Sequence, residues 1–194
     1  MSTPQTFDQV LADASAMLAN GVVDRSRAAH TPVVGTADGD QRIMVLRAFD
    51  SDAMTLRFHT DSRAPKCAVI EQDPAVHVLI YDRDRKVQLR LAGVGSIETE
   101  GQQVDDAWSE ATNFARRCYL GSAPGAPSDI PTSGLPDHLE GVAPTDEQLV
   151  EARENFALLL VEIETIDWFF LDHHGHRRAR IDLRDRGQET WLAP

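Results

Sequence analysis

QRIMVLRAF (Gln41–Phe49), MTLRFHTDSRAPK (Met54–Lys66) and VQLRLAG (Val87–Gly93) follow one another within a short stretch of chain, and their reading decides the fold. Each begins as a run of alternating or β-branched apolar residues, the pattern of a half-buried strand. Outward from them the same pattern recurs. TPVVGTA (Thr31–Ala37) and the first run flank Asp38-Gly39, a dipeptide suited to a tight turn, which predicts a hairpin. VHVLIYD (Val76–Asp82) and KVQLRLAGVGSIE (Lys86–Glu98) add two more strands, and Gly93 and Gly95 permit a bend or bulge in the longer one. FALLLVEIETIDWFFLD (Phe156–Asp172), RRARIDL (Arg177–Leu183) and ETWLAP (Glu189–Pro194) close the sheet. About six to eight strands joined mostly by hairpins favour an antiparallel barrel over alternating βαβ units.

Helices are peripheral. Phe7, Val10, Leu11, Ala14 and Leu18 recur at helical spacing behind Thr3 or Thr6 as cap, with Asn20-Gly21 as the expected stop. Ser62–Gln72 reads as a short helix closed by Asp73-Pro74, and Val104–Cys118 as an amphipathic one. Gly121–Pro144 is too rich in proline for regular structure and reads as one long loop, a candidate lid. Thr145-Asp146-Glu147-Gln148 then predicts a capped helix running to about Asn155. The whole, 1–194, reads as a single domain.

Composition narrows the function. With 31 acidic against 19 basic residues the net charge is −12, which opposes binding to nucleic acid or anionic lipid. No apolar run approaches the ~18 residues of a membrane span, and the N-terminus lacks the basic start and apolar core of a secretory signal, so a cytoplasmic protein is expected. Cys67 and Cys118 have neither CxxC nor zinc spacing and read as reduced thiols. His173, His174 and His176 fall in a glycine-containing turn, read as solvated rather than metal-binding, and no metal is expected.

The cations are better placed than their number suggests. Arg42 and Arg47, five apart, fall on opposite faces of a regular strand, so a bulge is needed to bring both to one anion. His59 and Thr60 end a strand just before a helix start that carries Lys66, a setting with backbone N–H donors and a favourable dipole. Gln88 lies within a strand, where its amide must find partners in a neighbouring backbone or in a heterocycle.

In their order, these motifs resemble the pyridoxamine 5′-phosphate oxidase-like flavin-binding split barrels. QRIMVLR resembles that family's phosphate-binding strand, FHTDSRAPK its aromatic-Thr-(Asn/Asp)…Ser-Arg-Lys segment, and VQLRLAG its glutamine strand. Trp168-Phe169, a following arginine cluster and the terminal Leu-Ala-Pro continue the match, which spans roughly Thr31–Pro194. The resemblance implies FMN bound at a homodimer interface, with Arg42, Arg47 and Lys66 on its phosphate. Thr60 and the backbone of Met44, Val45 and Leu46 would meet the ribityl chain or ring, Gln88 the isoalloxazine, and His59 is a further cofactor-binding candidate. Trp168 or Phe169, and Arg177 or Arg178, would approach the flavin held by the other subunit. The departures concern the phosphate segment and the substrate. The expected Ser-Arg-Lys reads Ala64-Pro65-Lys66, with Arg63 the one nearby guanidinium; the substrate-phosphate group reads Asn113, Arg117 and Gly121; the C-terminal Arg-x-His reads Arg178-Ala179-Arg180. Arg117 and Arg180 remain as candidate substrate contacts. The resemblance therefore implies an FMN-dependent oxidoreductase acting on an unidentified small molecule. The alternatives are a genuine pyridoxamine or pyridoxine 5′-phosphate oxidase, a non-catalytic flavin or haem binder, and a deazaflavin in place of FMN.

Overall fold

The computed structural model describes residues 3–184 and 188–194. The chain opens with α1 (Phe7–Val23), capped by Thr6, whose hydroxyl accepts from the Gln9 N–H. The helix runs through Asn20-Gly21 to Val23 rather than stopping there. Gly21 serves packing instead: a Cβ on it would lie 2.6 Å from the Ala29 backbone. Val10, Ala14, Met17 and Leu18 form the buried stripe of α1, which packs against β3 and β8, defined below.

Nine strands follow among the described residues: β1 (Val33–Thr36), β2 (Gln41–Ile43), β3 (Leu46–Asp50), β4 (Thr55–Asp61), β5 (Ala75–Asp82), β6 (Val87–Glu98), β7 (Phe156–Phe170), β8 (Arg177–Asp182) and β9 (Glu189–Leu192). They form one sheet in the order β2-β1-β5-β6-β7-β4-β3, with β8 on β7 and β9 on β8. The fold is thus mainly antiparallel β with a few helices, as the alternation predicts. The strand count is higher because RIMVLRAF is not one strand: it breaks at Met44-Val45, where the Met44 N–H turns to the Pro32 carbonyl.

Two compact units divide the chain. The first comprises Met1–Phe58, Asp73–Gly95 and Leu160–Pro194; the second comprises His59–Gln72 and Ser96–Leu159. In the first, burial alternates along the strands as a two-faced sheet requires. Val76, Val78 and Ile80 of β5 and Val87, Leu89 and Leu91 of β6 point into the core, while His77, Leu79 and Tyr81 lie opposite Ala92, Arg90 and Gln88 on the other face.

The second unit corrects the helix expectations. Val104–Cys118 is α3 (Gln102–Glu110), α4 (Asn113–Arg116) and a 3₁₀ turn, because Ala111 is extended and Thr112 caps a new helix through the Ala115 N–H. The Thr145 capping box forms, with Gln148 N–H donating to Thr145 Oγ1 and Thr145 N–H to Gln148 Oε1, but the chain beyond it makes turns and the 3₁₀ segment Glu151–Asn155, not an α-helix. The helix expected from Ser62 starts later, as α2 (Pro65–Gln72), since Pro65 at the first helical position has no N–H to satisfy. Phe156 is the hub of this core, with His59, Trp108 and Tyr119 at ring distances of 5.0, 5.3 and 5.1 Å.

Candidate functional site

In the first unit, strand alternation decides which candidates share a face. Gln88 and Arg90 of β6, Asp167 and Phe169 of β7, and Arg178 and Arg180 of β8 all lie on the open side of the sheet. Asp167 organises them. Its carboxylate accepts Nε (3.0 Å) and Nη2 (2.8 Å) of Arg178 and Nη2 of Arg90 (2.8 Å). Burial pushes the Asp167 carboxyl up, but the Arg178 and Arg90 hydrogen bonds outweigh it and hold it below the usual carboxylate range. One carboxylate thus binds two guanidiniums, with Arg180 opposite it in the β7–β8 register, a locally cationic face on a strongly acidic chain. Beside it opens a cavity of about 350 Å³, whose lining includes Val33, Leu79, Leu91, Arg90, Asp167 and Arg180, apolar with a few polar groups as small-molecule sites are.

That network gives a pH-resolved prediction. Asp167→Asn should lower stability by about 1–3 kcal/mol at pH 7, since two guanidiniums lose a charged acceptor. Because the folded carboxyl is depressed, its contribution is present above the unfolded value of about 3.9 and is lost as pH falls through the folded value. Urea unfolding of both proteins at pH 7 and at about pH 3 tests this; a gap of the same size at both pH values would rule it out.

Trp168 lies on the opposite face. It is fully buried, and its indole N–H donates to Asp13 Oδ2 at 2.9 Å, while Oδ1 of the same carboxylate pairs with Arg85. Of the two aromatic alternatives, Phe169 therefore shares the face of Gln88. Of the two arginines, Arg178 does; Arg177 is turned back onto the Gly175 and His176 carbonyls.

The phosphate candidates of this unit separate likewise. Arg42 is committed to its own hairpin: Nη2 donates to Asp40 (2.5 Å) and Nη1 to Thr36 Oγ1 (3.0 Å). Arg47 is exposed on β3, at a register shift between Leu46 and Ala48, and forms no ion pair among the described residues. The bulge that the spacing of the arginines demands is present, but beside Arg47 alone. Met44 and Leu46 are buried and Val45 is half-buried. Arg57, which the sequence reading passed over, stands opposite Ala48 with its Nε buried and without a hydrogen-bond partner among the described residues. Its signal was the alternation of LRFHT, which sets a cation inside an apolar strand beside the bulge. A buried guanidinium N–H with an unmet hydrogen bond next to an exposed arginine fits an anionic group such as a flavin phosphate.

In the second unit, Thr60 is buried and Lys66 is half-buried in the first turn of α2. Arg63 does not replace the missing family guanidinium. It grips Asp61 with Nε (3.0 Å) and Nη2 (2.7 Å) and donates to the Gly121 carbonyl, and the Asp61 bond raises its pKa. Arg117 is also engaged locally, over the Phe114 ring at 3.8 Å and against the Leu139 and Val142 carbonyls. The Asn113 amide is held by Pro144 and Asp146. Both cysteines are free thiols; burial raises the pKa of each.

With this geometry in view, the comparisons with known proteins can be set beside it. Residues 15–99 match the family described as pyridoxamine 5′-phosphate oxidase, FMN-binding domain, a span that contains Arg42, Arg47, Arg57, Thr60, Lys66 and Gln88. Among solved structures, the chain is similar to a pyridoxamine 5′-phosphate oxidase-related, FMN-binding protein of Nostoc punctiforme, at 24% identity over the whole of both chains and a TM-score of 0.70. It is also similar to PhzG of Burkholderia lata, solved with tetrahydrophenazine-1-carboxylic acid, at 18% identity over 100% of this chain and 95% of that one, with a TM-score of 0.68. A Clostridium acetobutylicum protein related to general stress protein 26 follows at 11% identity, 92% and 98% coverage and a TM-score of 0.52. At these identities the structures establish the split-barrel fold. No curated protein matches the sequence. The resemblance read from the motifs is therefore upheld: residues 15–99 match that family's model, and the similar solved structures share the split-barrel fold. No helix among the described residues is long and apolar enough to cross a membrane.

Proposed function

We propose that this protein is an FMN-dependent oxidoreductase that acts on a small molecule, as a single-domain cytoplasmic homodimer with flavin at the subunit interface. The observation that carries the reading is the match of residues 15–99 to an FMN-binding domain, supported by the Arg57 Nε that lacks a partner beside Arg47. Bound FMN supplies two-electron chemistry at its ring. The chain supplies charge and orientation: in the first unit Arg47 and Arg57 are the cations for a phosphate, the backbone of Val45 is a polar contact for the ribityl chain or ring, and Gln88 and Arg178 are donors for the ring held by the partner; in the second unit Lys66 is the candidate cation and Thr60 the candidate polar contact. Arg180, beside the open-face cavity, is the remaining cation for an anionic substrate.

The test is binding of FMN against riboflavin, followed by flavin absorbance and mass identification of the chromophore. Charge-assisted contacts to a phosphate are worth about 1.5–3 kcal/mol each, so Arg47→Ala or Lys66→Ala should weaken FMN by about one to two orders of magnitude and leave riboflavin unaffected. Equal affinity for FMN and riboflavin would overturn the phosphate assignment.

Turnover of pyridoxamine 5′-phosphate should be slow or absent, because Arg117 and Asn113 are held by their own loop and Ala179 replaces a polar partner. An oxygen-coupled assay that forms pyridoxal 5′-phosphate efficiently would make the protein a true oxidase of that substrate.

A further inference from the structure

The turn between β7 and β8 reads DHHGH, and the structure adds to its imidazoles a carboxylate that the sequence reading left out. Asp172, His173 and His174 each offer one ligand atom, and the three atoms all lie within 4.8 Å of one another. Asp172 Oδ1 is 3.4 Å from His173 Nδ1 and 3.1 Å from His174 Nδ1. An ion bound at ~2.0–2.1 Å from each donor requires donor separations of roughly 3.4 Å in a tetrahedron and roughly 2.9 Å in an octahedron. Both measured separations fall in that interval.

The carboxylate is held in place without the ion. Asp172 Oδ1 accepts the His174 backbone N–H at 2.9 Å, and the Gly175 N–H closes the turn on the Asp172 carbonyl at 3.0 Å. The two imidazoles lie close together, ring centres 3.7 Å apart with their planes inclined at 43°, and both are exposed. His176 is directed elsewhere, edge-on to Phe169.

We propose that Asp172, His173 and His174 form a binding site for one divalent transition-metal ion. Two imidazoles and one carboxylate select zinc, copper, nickel or cobalt over magnesium or calcium, which prefer all-oxygen shells. Three protein ligands leave further coordination positions open. Asp172 borders a cavity of about 370 Å³, lined also by Asp84, Lys86, Trp168 and Phe170, where water or a small ligand completes the shell. The ion displaces the hydrogen bond between His174 Nδ1 and Asp172, so both imidazoles bind as neutral Nδ1 donors.

The experiment uses the full-length protein without an affinity tag. Equilibrium dialysis against Zn²⁺, with Co²⁺ absorbance to report coordination by nitrogen and oxygen, should give one ion per chain. His174→Ala and His173→Ala should each weaken Zn²⁺ by at least the roughly 10–100-fold that loss of a supporting outer-shell partner costs. His176→Ala should leave the affinity unchanged, and an excess of Mg²⁺ should not compete. Both variant positions are exposed, so far-UV circular dichroism should match the parent. Less than one Zn²⁺ per chain, binding retained in His174→Ala, or an equal loss in His176→Ala would each overturn the site.

Discussion

Gly93→Ala is expected to destabilise the fold by more than about 3 kcal/mol, beyond the ordinary cost of overpacking a core. A Cβ built on Gly93 would lie 2.0 Å from the Glu162 carbonyl oxygen, 2.9 Å from its carbon and 3.1 Å from Ile163 Cα. All three are backbone atoms of β7. A flexible side chain would rotate away, but a strand backbone moves only with its ladder. The same central strand carries Gln88 and Arg90 on its open face, so a displaced β6 would also disturb the face that holds Arg178 and Arg180. Gly35→Ala is the control: on β1 its nearest neighbour would be 3.6 Å away, ordinary contact, and its cost should be small. Urea unfolding of the two variants, followed by far-UV circular dichroism, separates them. Equal losses would show that β6 and β7 tolerate a methyl group where the geometry leaves no room.

Gly93 also shows how far the sequence could be read. A glycine within an apolar strand signals a bend, a bulge or a close approach of another backbone, and VQLRLAGVG alone does not choose among them. The strands were legible because alternation is local, and Val76-Val78-Ile80 against His77-Leu79-Tyr81 needs no partner to be recognised. What two such runs do when joined was less legible. RIMVLRAF reads as one strand until Met44 is seen to turn toward Pro32. The cationic residues follow the same rule. Their presence at strand ends was visible, but whether a guanidinium remains available depends on carboxylates that local pattern does not weigh. Asp40 takes Arg42, Asp61 takes Arg63, and Asp167 reaches 77 residues back in the chain to Arg90. Arg57 was missed for the opposite reason, since a lone cation in an apolar strand looks like an edge residue until its Nε proves buried.

Trp168→Ala should cost about 3–5 kcal/mol, the usual range for removing a buried tryptophan, and so a large share of a typical stability of about 5–15 kcal/mol. The ring is fully buried on the core side of β7, across from Ala179, and its removal leaves a void as well as an indole hydrogen bond unmade at Asp13. Trp168→Phe should be milder. It keeps most of the apolar volume, and Arg85 still pairs with Asp13, so the loss should be about 1–3 kcal/mol. This graded pair also tests which aromatic would serve the proposed flavin. If Trp168 is core and Phe169 belongs to the open face beside Arg178, then Trp168→Phe, measured where it is fully folded, should bind FMN as the parent does. Phe169→Ala should weaken FMN while losing less stability than Trp168→Ala, because Phe169 is only half-buried. Denaturation midpoints and FMN titrations on the same three variants decide the matter. A Trp168→Phe protein of nearly parental stability that has lost FMN affinity would return the aromatic contact to Trp168, and would require β7 to present its core face to the ligand.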